Sequence, residues 1–377
     1  MLRVLHVITT LTVGGAETAL YRLVTSSCGG KYQHVVVALG GNGAMGDRLR
    51  EAGVELTVFN FRQAPVKHFL ALLTLIRRMR PDIVQTWMYH ADMFGGLAAR
   101  LSGNQNVIWG IRASELTDGD ARATVAVRKI CAWLSHWVPH TIVCVAERAR
   151  HVHARVGYDP SRMVVVPNGF DFRLMATGAD QRRAMRAECG FLADDVVIGN
   201  LGRFNSAKDQ RNFVQAAGRL AQRRAAVRFL MIGRDVHAAN KVLAGWIAQT
   251  GYPDRFVLLG ERSDVPACLA AMDVFCLSSR SEGFPNAVGE AMTMGLPCVV
   301  TDVGDAAMLV GDAGVVVPKE DPNALADGLD SLVSMAPEVR AELGRKASAR
   351  IRTEFTMDLI RERYESIYQC ITQESRS

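Results

Sequence analysis

Glu282 and Glu290 stand eight residues apart in the segment SRSEGFPNAVGEAM, residues 279–292, around a Gly-Phe-Pro-Asn turn. The rest of that segment is mostly small or apolar. An ionised carboxylate is acceptor-only, so two of them at this spacing suit a hydroxyl-rich ligand such as a sugar or a ribose. Pro285 and Asn286 read as a helix start, with Asn286 or Ser281 as its cap. Glu282 then stays in the loop and Glu290 falls about one turn into the helix. The backbone from Gly283 through Phe284, Pro285 and Asn286 to Ala287 lies at the helix N-terminus, whose N–H groups favour an anion. The plainer alternative is one solvated glutamate and one that caps.

Four further loops carry candidate residues. In GNLGRFNSAKDQ, Arg203 and Lys208 lie between a strand and a helix. A planar guanidinium and an ammonium point charge together can neutralise a diphosphate. Alone, two loop cations are more often surface charges. In TVGGAE, Gly14 and Gly15 let backbone N–H groups approach a ligand, although the GxGxxG spacing of a dinucleotide site is missing. His90 in WMYHAD and Arg112 in WGIRAS each follow a strand of the first half, so both could face a cleft, although a lone histidine is more often structural. Asp118-Gly119-Asp120 resembles a metal-binding DxD but reads as an acidic turn. The eight cysteines form no CxxC pair, so buried free thiols are expected rather than a metal site or a disulfide framework.

These loops need elements to hold them. The first half alternates short β-branched runs (RVLHVIT, HVVVAL, ELTVFN, DIVQTW, NVIWGI, TIVCVA, MVVVPN) with helical spacing, as in VKHFLALLTLIRRM, which Pro81 stops. After PNGFD the pattern restarts with VVIGNLG, VRFLMIG, RFVLLG, VFCLSS, PCVVTD and AGVVVP. Near-continuous apolar strands between helices indicate parallel sheets covered on both faces. The expected fold is α/β, with two Rossmann-like doubly wound domains facing across a cleft. They span residues 1–170 and 171–355, and an amphipathic helix over 356–377 packs back on the first. In such sheets, ligands bind beyond the carboxyl ends of the strands.

The 377 residues suffice for two cores, with 49% of them hydrophobic. No apolar run approaches the ~20 residues of a membrane span. Residues 1–170 hold 19 Lys/Arg against 11 Asp/Glu, and the remainder 25 against 27, so the excess positive charge sits wholly in the first half. That suggests an anionic partner there. VKHFLALLTLIRRMR and VRKICAWLSHW mix apolar side chains with cations, as faces that lie on an anionic membrane do, although helices that bury their apolar side in the core look alike. No nucleic-acid reader motif is present.

Taken in order, GGAE, VVVPNGFD, GRFNSAK, SRSEGFPNAVGEAMTMGLPCVVTDVGD and AGVVVPKEDP resemble the GT-B glycosyltransferases of family 4, over nearly the whole chain. The resemblance implies a retaining transferase that moves a sugar from a nucleotide-diphosphate sugar, a UDP-sugar first among them. The acceptor would be a glycan or lipid-linked hydroxyl in surface-polysaccharide assembly. It implies that Arg203 and Lys208 hold the diphosphate, and that Glu282 binds sugar hydroxyls, aided by the backbone of residues 283–287. Glu290 would bind the ribose, Gly260 and Arg262 lie where the base is held, and Gly15 approaches the phosphates. No metal or cofactor is implied, and a cytoplasmic, membrane-peripheral location is expected. Asp209 stands where glycine is common, Val303-Gly304-Asp305 replaces a frequent VGG, and Ile111-Arg112 occupies the place of a frequent histidine, which leaves Arg112 and His90 as acceptor-side candidates. A nucleotide-sugar epimerase on the same scaffold and a non-catalytic nucleotide-sugar binder remain alternatives.

Overall fold

A computed structural model describes residues 1–26, 30–114 and 122–374. The chain divides into two units. Unit one comprises Met1–Gly169 and the chain from Met357 on, and unit two comprises Phe170–Thr356.

The first unit is built on seven strands: β1 Leu2–Ile8, β2 Tyr32–Ala38, β3 Glu55–Val58, β4 Ile83–Trp87, β5 Val107–Ile111, β6 Thr141–Cys144 and β7 Met163–Val165. They lie in the order β3-β2-β1-β4-β5-β6-β7, all parallel. The second unit has β8 Val196–Leu201, β9 Val227–Ile232, β10 Phe256–Leu258, β11 Val274–Leu277, β12 Cys298–Thr301 and β13 Gly314–Val317. Their order is β10-β9-β8-β11-β12-β13, again all parallel. Both sheets are doubly wound. Their strand order reverses between β1 and β4 in one and between β8 and β11 in the other, and loops leaving such neighbours diverge and open a crevice.

Central strands β4 and β5 are buried along their whole length, as expected of a sheet covered on both faces. The helix Met357–Glu374 supplies the first unit's core with Met357, Ile360, Tyr364, Tyr368 and Ile371, packed with β-strand residues such as Val4, Val36 and Trp87. Each such buried side chain contributes roughly 1.5–3 kcal/mol. The helix is also fixed by polar contacts. The Tyr368 hydroxyl donates to Gln85 Oε1, and the Tyr32 hydroxyl to the Glu365 carbonyl at 3.3 Å. In the second unit, Phe170 N–H donates to the Phe355 carbonyl at 2.9 Å, and the Phe170 ring lies where a β-carbon on Gly289 would stand. The helix bearing Glu290 therefore needs glycine at 289 for close packing.

Beneath the first sheet runs a chain of buried rings. Trp87 Nε1 donates to His6 Nδ1 at 3.2 Å, and His6 Nε2 and His34 Nδ1 are 2.8 Å apart. The Trp87 bond leaves His6 to donate from Nε2, so both imidazoles are neutral in this arrangement. Burial, then the His34 charge, pushes His6 well below the usual histidine range, and burial lowers His34 to about 4. His153, bonded to the Tyr89 hydroxyl at 2.8 Å, is likewise lowered to about 4 by burial.

Seven cysteines among the described residues are free thiols, five of them buried. Cys28 and the Asp118–Asp120 turn lie outside the described residues.

Two outcomes follow for stability. Gly289→Ala should lower it by about 1–3 kcal/mol in urea denaturation, through overpacking against Phe170. The three histidines have folded-state pKa values below the unfolded value near 6.5, so their contribution is complete above that pH and is lost as pH falls towards 4. Stability should decline over this window by about 1.4 kcal/mol per pH unit for each histidine that stays neutral in the fold. His153→Gln should make the decline shallower.

Candidate active site

The second unit's crevice is lined by the loops that leave β8 and β11. Because these strands are neighbours, residues 74 positions apart meet: Lys208 Nζ lies 2.6 Å from Glu282 Oε1. The Ser279 hydroxyl donates to the same oxygen at 2.6 Å. Lys208 and Glu282 are both largely buried, with side chains 26% and 10% exposed. A carboxylate set this deep needs such partners to offset its lost hydration. Oε1 anchors the cluster, and Glu282 Oε2 takes no hydrogen bond among the described residues. The ammonium keeps two further donor hydrogens.

Both loops are braced. Gln210 Nε2 donates to the Arg203 carbonyl at 2.9 Å, and Lys208 N–H to Asn205 Oδ1 at 2.9 Å. The Ser278 hydroxyl holds the Lys208 carbonyl at 3.0 Å, and Thr301 Oγ1 the Ser279 carbonyl at 2.8 Å. Arg280 is anchored on Asp209 at 2.7 Å and Glu320 at 3.3 Å. Arg203 itself is exposed and makes no ion pair among the described residues. Two of the three departures from the family pattern have backbone explanations. Asp209 has φ 45°, a left-handed position that glycine occupies without cost and that aspartate tolerates, and its side chain caps the helix Gln210–Arg223 by accepting from Asn212 N–H at 3.3 Å. Asp305 has φ −101°, where glycine is not required. Gly304, with φ 55° and the Glu282 and Gly283 carbonyls where a β-carbon would stand, cannot be replaced so easily.

The helix Asn286–Thr293 begins beyond Pro285, and no side chain caps it. This corrects the expected cap: Asn286 is the first helical residue, and neither it nor Ser281 caps the end. A proline at the cap position, with Phe284 buried beside it, offers the first turn no side-chain acceptor, and Val288 N–H bonds the Pro285 carbonyl at 3.1 Å. The N–H groups of Phe284 and Ala287 meet no acceptor among the described residues. The Gly283 carbonyl accepts from Asp305 N–H at 3.1 Å, which fixes the turn. Glu290 sits on the fifth position of that helix, half-buried. Gly260 has φ 69°, and its carbonyl accepts from Gly233 N–H at 2.8 Å. Arg262 is clamped by Asp264 through two bonds at 2.8 and 2.7 Å and by Glu188 at 3.0 Å, so its guanidinium is already committed.

In the first unit, Gly15 opens the helix Gly15–Ser26 after β1, and His90 lies in the first turn of the helix Tyr89–Leu101 after β4. These again flank the point where the strand order reverses. Met88, before that helix, has φ 75° and ψ 158°, a region otherwise left to glycine. Such a conformation stores about 1–3 kcal/mol and persists where neighbours over-determine it. Here Met88 N–H is tied to the Gly110 carbonyl at 2.9 Å. His90 is half-buried, and burial followed by the charge of Arg62 lowers its pKa, so the imidazole is neutral at pH 7. Below it Asp92 is fully buried, bonded by the Thr86 hydroxyl at 2.5 Å, with a pKa raised by burial to about 8. Arg112 is spent on structure. It stacks 4.8 Å from the Trp87 ring centroid, donates to the Tyr364 hydroxyl at 3.2 Å and bonds Asn168 Oδ1. Ser279 and Asp92 escaped the sequence reading, since a lone Ser and an acid inside a helix carry no local signal.

Residues 13–174 match the family model Glycosyltransferase Family 4, and residues 195–335 match Glycosyl transferases group 1. The chain is 26% identical over 244 residues to UDP-Gal:alpha-D-GlcNAc-diphosphoundecaprenol alpha-1,3-galactosyltransferase of Escherichia coli, an alignment over 63% of this chain and 62% of that protein. It is 24% identical to the capsular polysaccharide biosynthesis glycosyltransferase CapM of Staphylococcus aureus, over 82% of each chain. The fold superposes on Anabaena HepE, solved in complex with UDP-glucose, with a TM-score of 0.86 at 19% identity over 99% of this chain and 100% of that one. It also superposes on WaaG, a glycosyltransferase involved in lipopolysaccharide biosynthesis, with a TM-score of 0.73 at 14% identity, over 97% and 99% of the two chains. With one family model on each α/β unit and a shared fold along the full length, this chain belongs to glycosyltransferase family 4, in the GT-B fold.

Proposed function

We propose that this glycosyltransferase moves a sugar from a nucleotide-diphosphate sugar, a UDP-sugar, to a hydroxyl of a lipid-linked glycan in surface-polysaccharide assembly, with retention at the anomeric carbon. The observation that carries the reading is the Lys208–Glu282–Ser279 cluster beside the uncapped helix at 286–293. It sets a cation, backbone donors and a carboxylate oxygen around one crevice, which are the groups a sugar diphosphate needs. The relatives support the donor and acceptor classes: HepE was solved with UDP and with UDP-glucose, and the Escherichia coli relative is named for a diphosphoundecaprenol acceptor.

In this reading, Lys208 and the unpaired Arg203 take the diphosphate, together with the N–H groups between Gly283 and Ala287. Glu282 accepts hydrogen bonds from the sugar through Oε2, Glu290 from the ribose, and the turn at Gly260 and Arg262 offers its backbone to the base. Gly15 is assigned to the phosphates. On the acceptor side, the neutral imidazole of His90 suits a hydroxyl better than Arg112, whose two terminal nitrogens already bond the Tyr364 hydroxyl and Asn168 Oδ1. The bond from the anomeric carbon to the β-phosphate oxygen breaks as the acceptor oxygen bonds that carbon on the same face. The acceptor proton passes to the departing phosphate oxygen. Charge develops on the diphosphate, so cations and amides fixed beforehand stabilise it most at the transition state. No step needs a metal ion.

Lys208→Ala and Glu282→Ala should each lower kcat about 10²–10³-fold in a nucleotide-sugar screen. Full turnover in either variant would refute the assignment. Lys208→Ala should also destabilise the fold, since it leaves Glu282 buried without its counter-ion. Turnover should persist in excess EDTA, and loss restored by Mg²⁺ would show a metal at work. NMR of the product should show the donor's anomeric configuration.

A further inference from the structure

The first unit leaves an unusual set of apolar side chains in water. Trp133 and Trp137 are 64% and 53% exposed, and their rings meet edge-on at 4.8 Å. Ile130, three residues before Trp133 on the helix Arg122–Leu134, is 45% exposed and shares its face. Leu101, also exposed, belongs to the same surface, because its neighbour Arg100 donates to the Trp137 carbonyl at 2.5 Å. Arg77 donates in turn to the Leu101 carbonyl at 3.1 Å. Two guanidiniums thus border this surface, and exposed Lys129 adds a third cation on the helix of Trp133.

Negative charge is sparse on this surface among the described residues, and the exposed Glu374 is held by His140 at 2.9 Å. The helices Pro65–Met79, Tyr89–Leu101 and Arg122–Leu134 contain a single acid between them, Asp92, and it is fully buried. Asp159, beside His136, is paired with Arg162 at 3.1 Å. Scattered exposed apolar residues are ordinary, but two touching indoles with an isoleucine and a leucine form a patch. Indoles favour the headgroup level of a bilayer, where one edge is apolar and the other wet, and a border of cations with few carboxylates complements anionic lipid.

We propose that Ile130, Trp133, Trp137 and Leu101, bordered by Lys129, Arg77 and Arg100, dock this unit on an anionic phospholipid surface. The proposal deepens the reading above, on which its purpose rests, since a lipid-linked acceptor is presented at such a surface. The docking itself needs only the patch.

The test is co-sedimentation with vesicles of phosphatidylcholine containing phosphatidylglycerol, beside vesicles of phosphatidylcholine alone. The wild-type protein should bind the anionic vesicles, less so in high salt, with a blue shift of indole fluorescence. The double variant Trp133→Ser/Trp137→Ser should lose most binding. Lys129→Gln, which leaves the indoles in place, should weaken it about fivefold. Both should keep the wild-type melting temperature and turnover of a water-soluble acceptor. Absence of wild-type binding, equal binding to neutral vesicles, or unchanged binding by the double variant would overturn the proposal. So would a wild-type dimer that the double variant dissolves, since the patch would then join two copies. Vesicle binding without turnover of any nucleotide sugar would leave docking intact and defeat the proposed reaction. Turnover without vesicle binding would defeat docking alone.

Discussion

Crossover connections between parallel strands are right-handed, and the consequence governs this molecule. Winding outward in both directions from β1 and from β8 leaves one place in each sheet where neighbouring strands send their chains to opposite faces. Polar backbone can end there without a covering helix. In the second unit that place is occupied by an ammonium, a carboxylate and a hydroxyl sharing one oxygen. Elsewhere in that unit, deeply set charges are answered in pairs, as Arg186 is by Asp273 at 3.2 Å.

The same constraint explains which residues had to be particular. Asp209 accepts a left-handed backbone because the chain turns sharply from the β8 loop into its helix, and it repays the strain by capping that helix. Gly304 lies against the carbonyls of the Glu282 turn, and Gly289 against the Phe170 ring. Met88 endures a glycine-like conformation in the corresponding turn of the first unit, under the hold of Gly110. Strain thus collects in the loops beyond the strands, while the strands carry none.

Much of the fold was legible in the sequence. All thirteen strands coincide with apolar or β-branched runs, clearest in β5, which is buried along its whole length, whereas edge strands β3 and β10 are only partly buried. The last helix showed its apolar stripe. Helix Pro337–Glu354 did not, because only Gly344, Ala347 and Ile351 are buried in it and its charges lie on several sides. The roles of Glu282 and Lys208 came from motif resemblance, but their direct contact was beyond reach, because it depends on β8 lying next to β11. For the same reason Arg112 looked available: the Tyr364 that engages it is 252 positions away. The cap of helix 286–293 was misjudged because a proline, and not the neighbouring asparagine, terminates the turn.

The helix Met357–Glu374 has a consequence for biogenesis. Its apolar side belongs to the interior of the first unit, yet it leaves the ribosome roughly 190 residues after β7, a delay of about 10–40 s at ~5–20 residues per second. Through that interval the nascent first unit shows Trp87, Tyr32 and Ile8 to water at the face this helix will cover. The second unit, contiguous from Phe170 to Thr356, faces no such wait and can complete its own interior first. The order of maturation is therefore the reverse of the order of synthesis, and chaperones would meet this chain at its amino-terminal half.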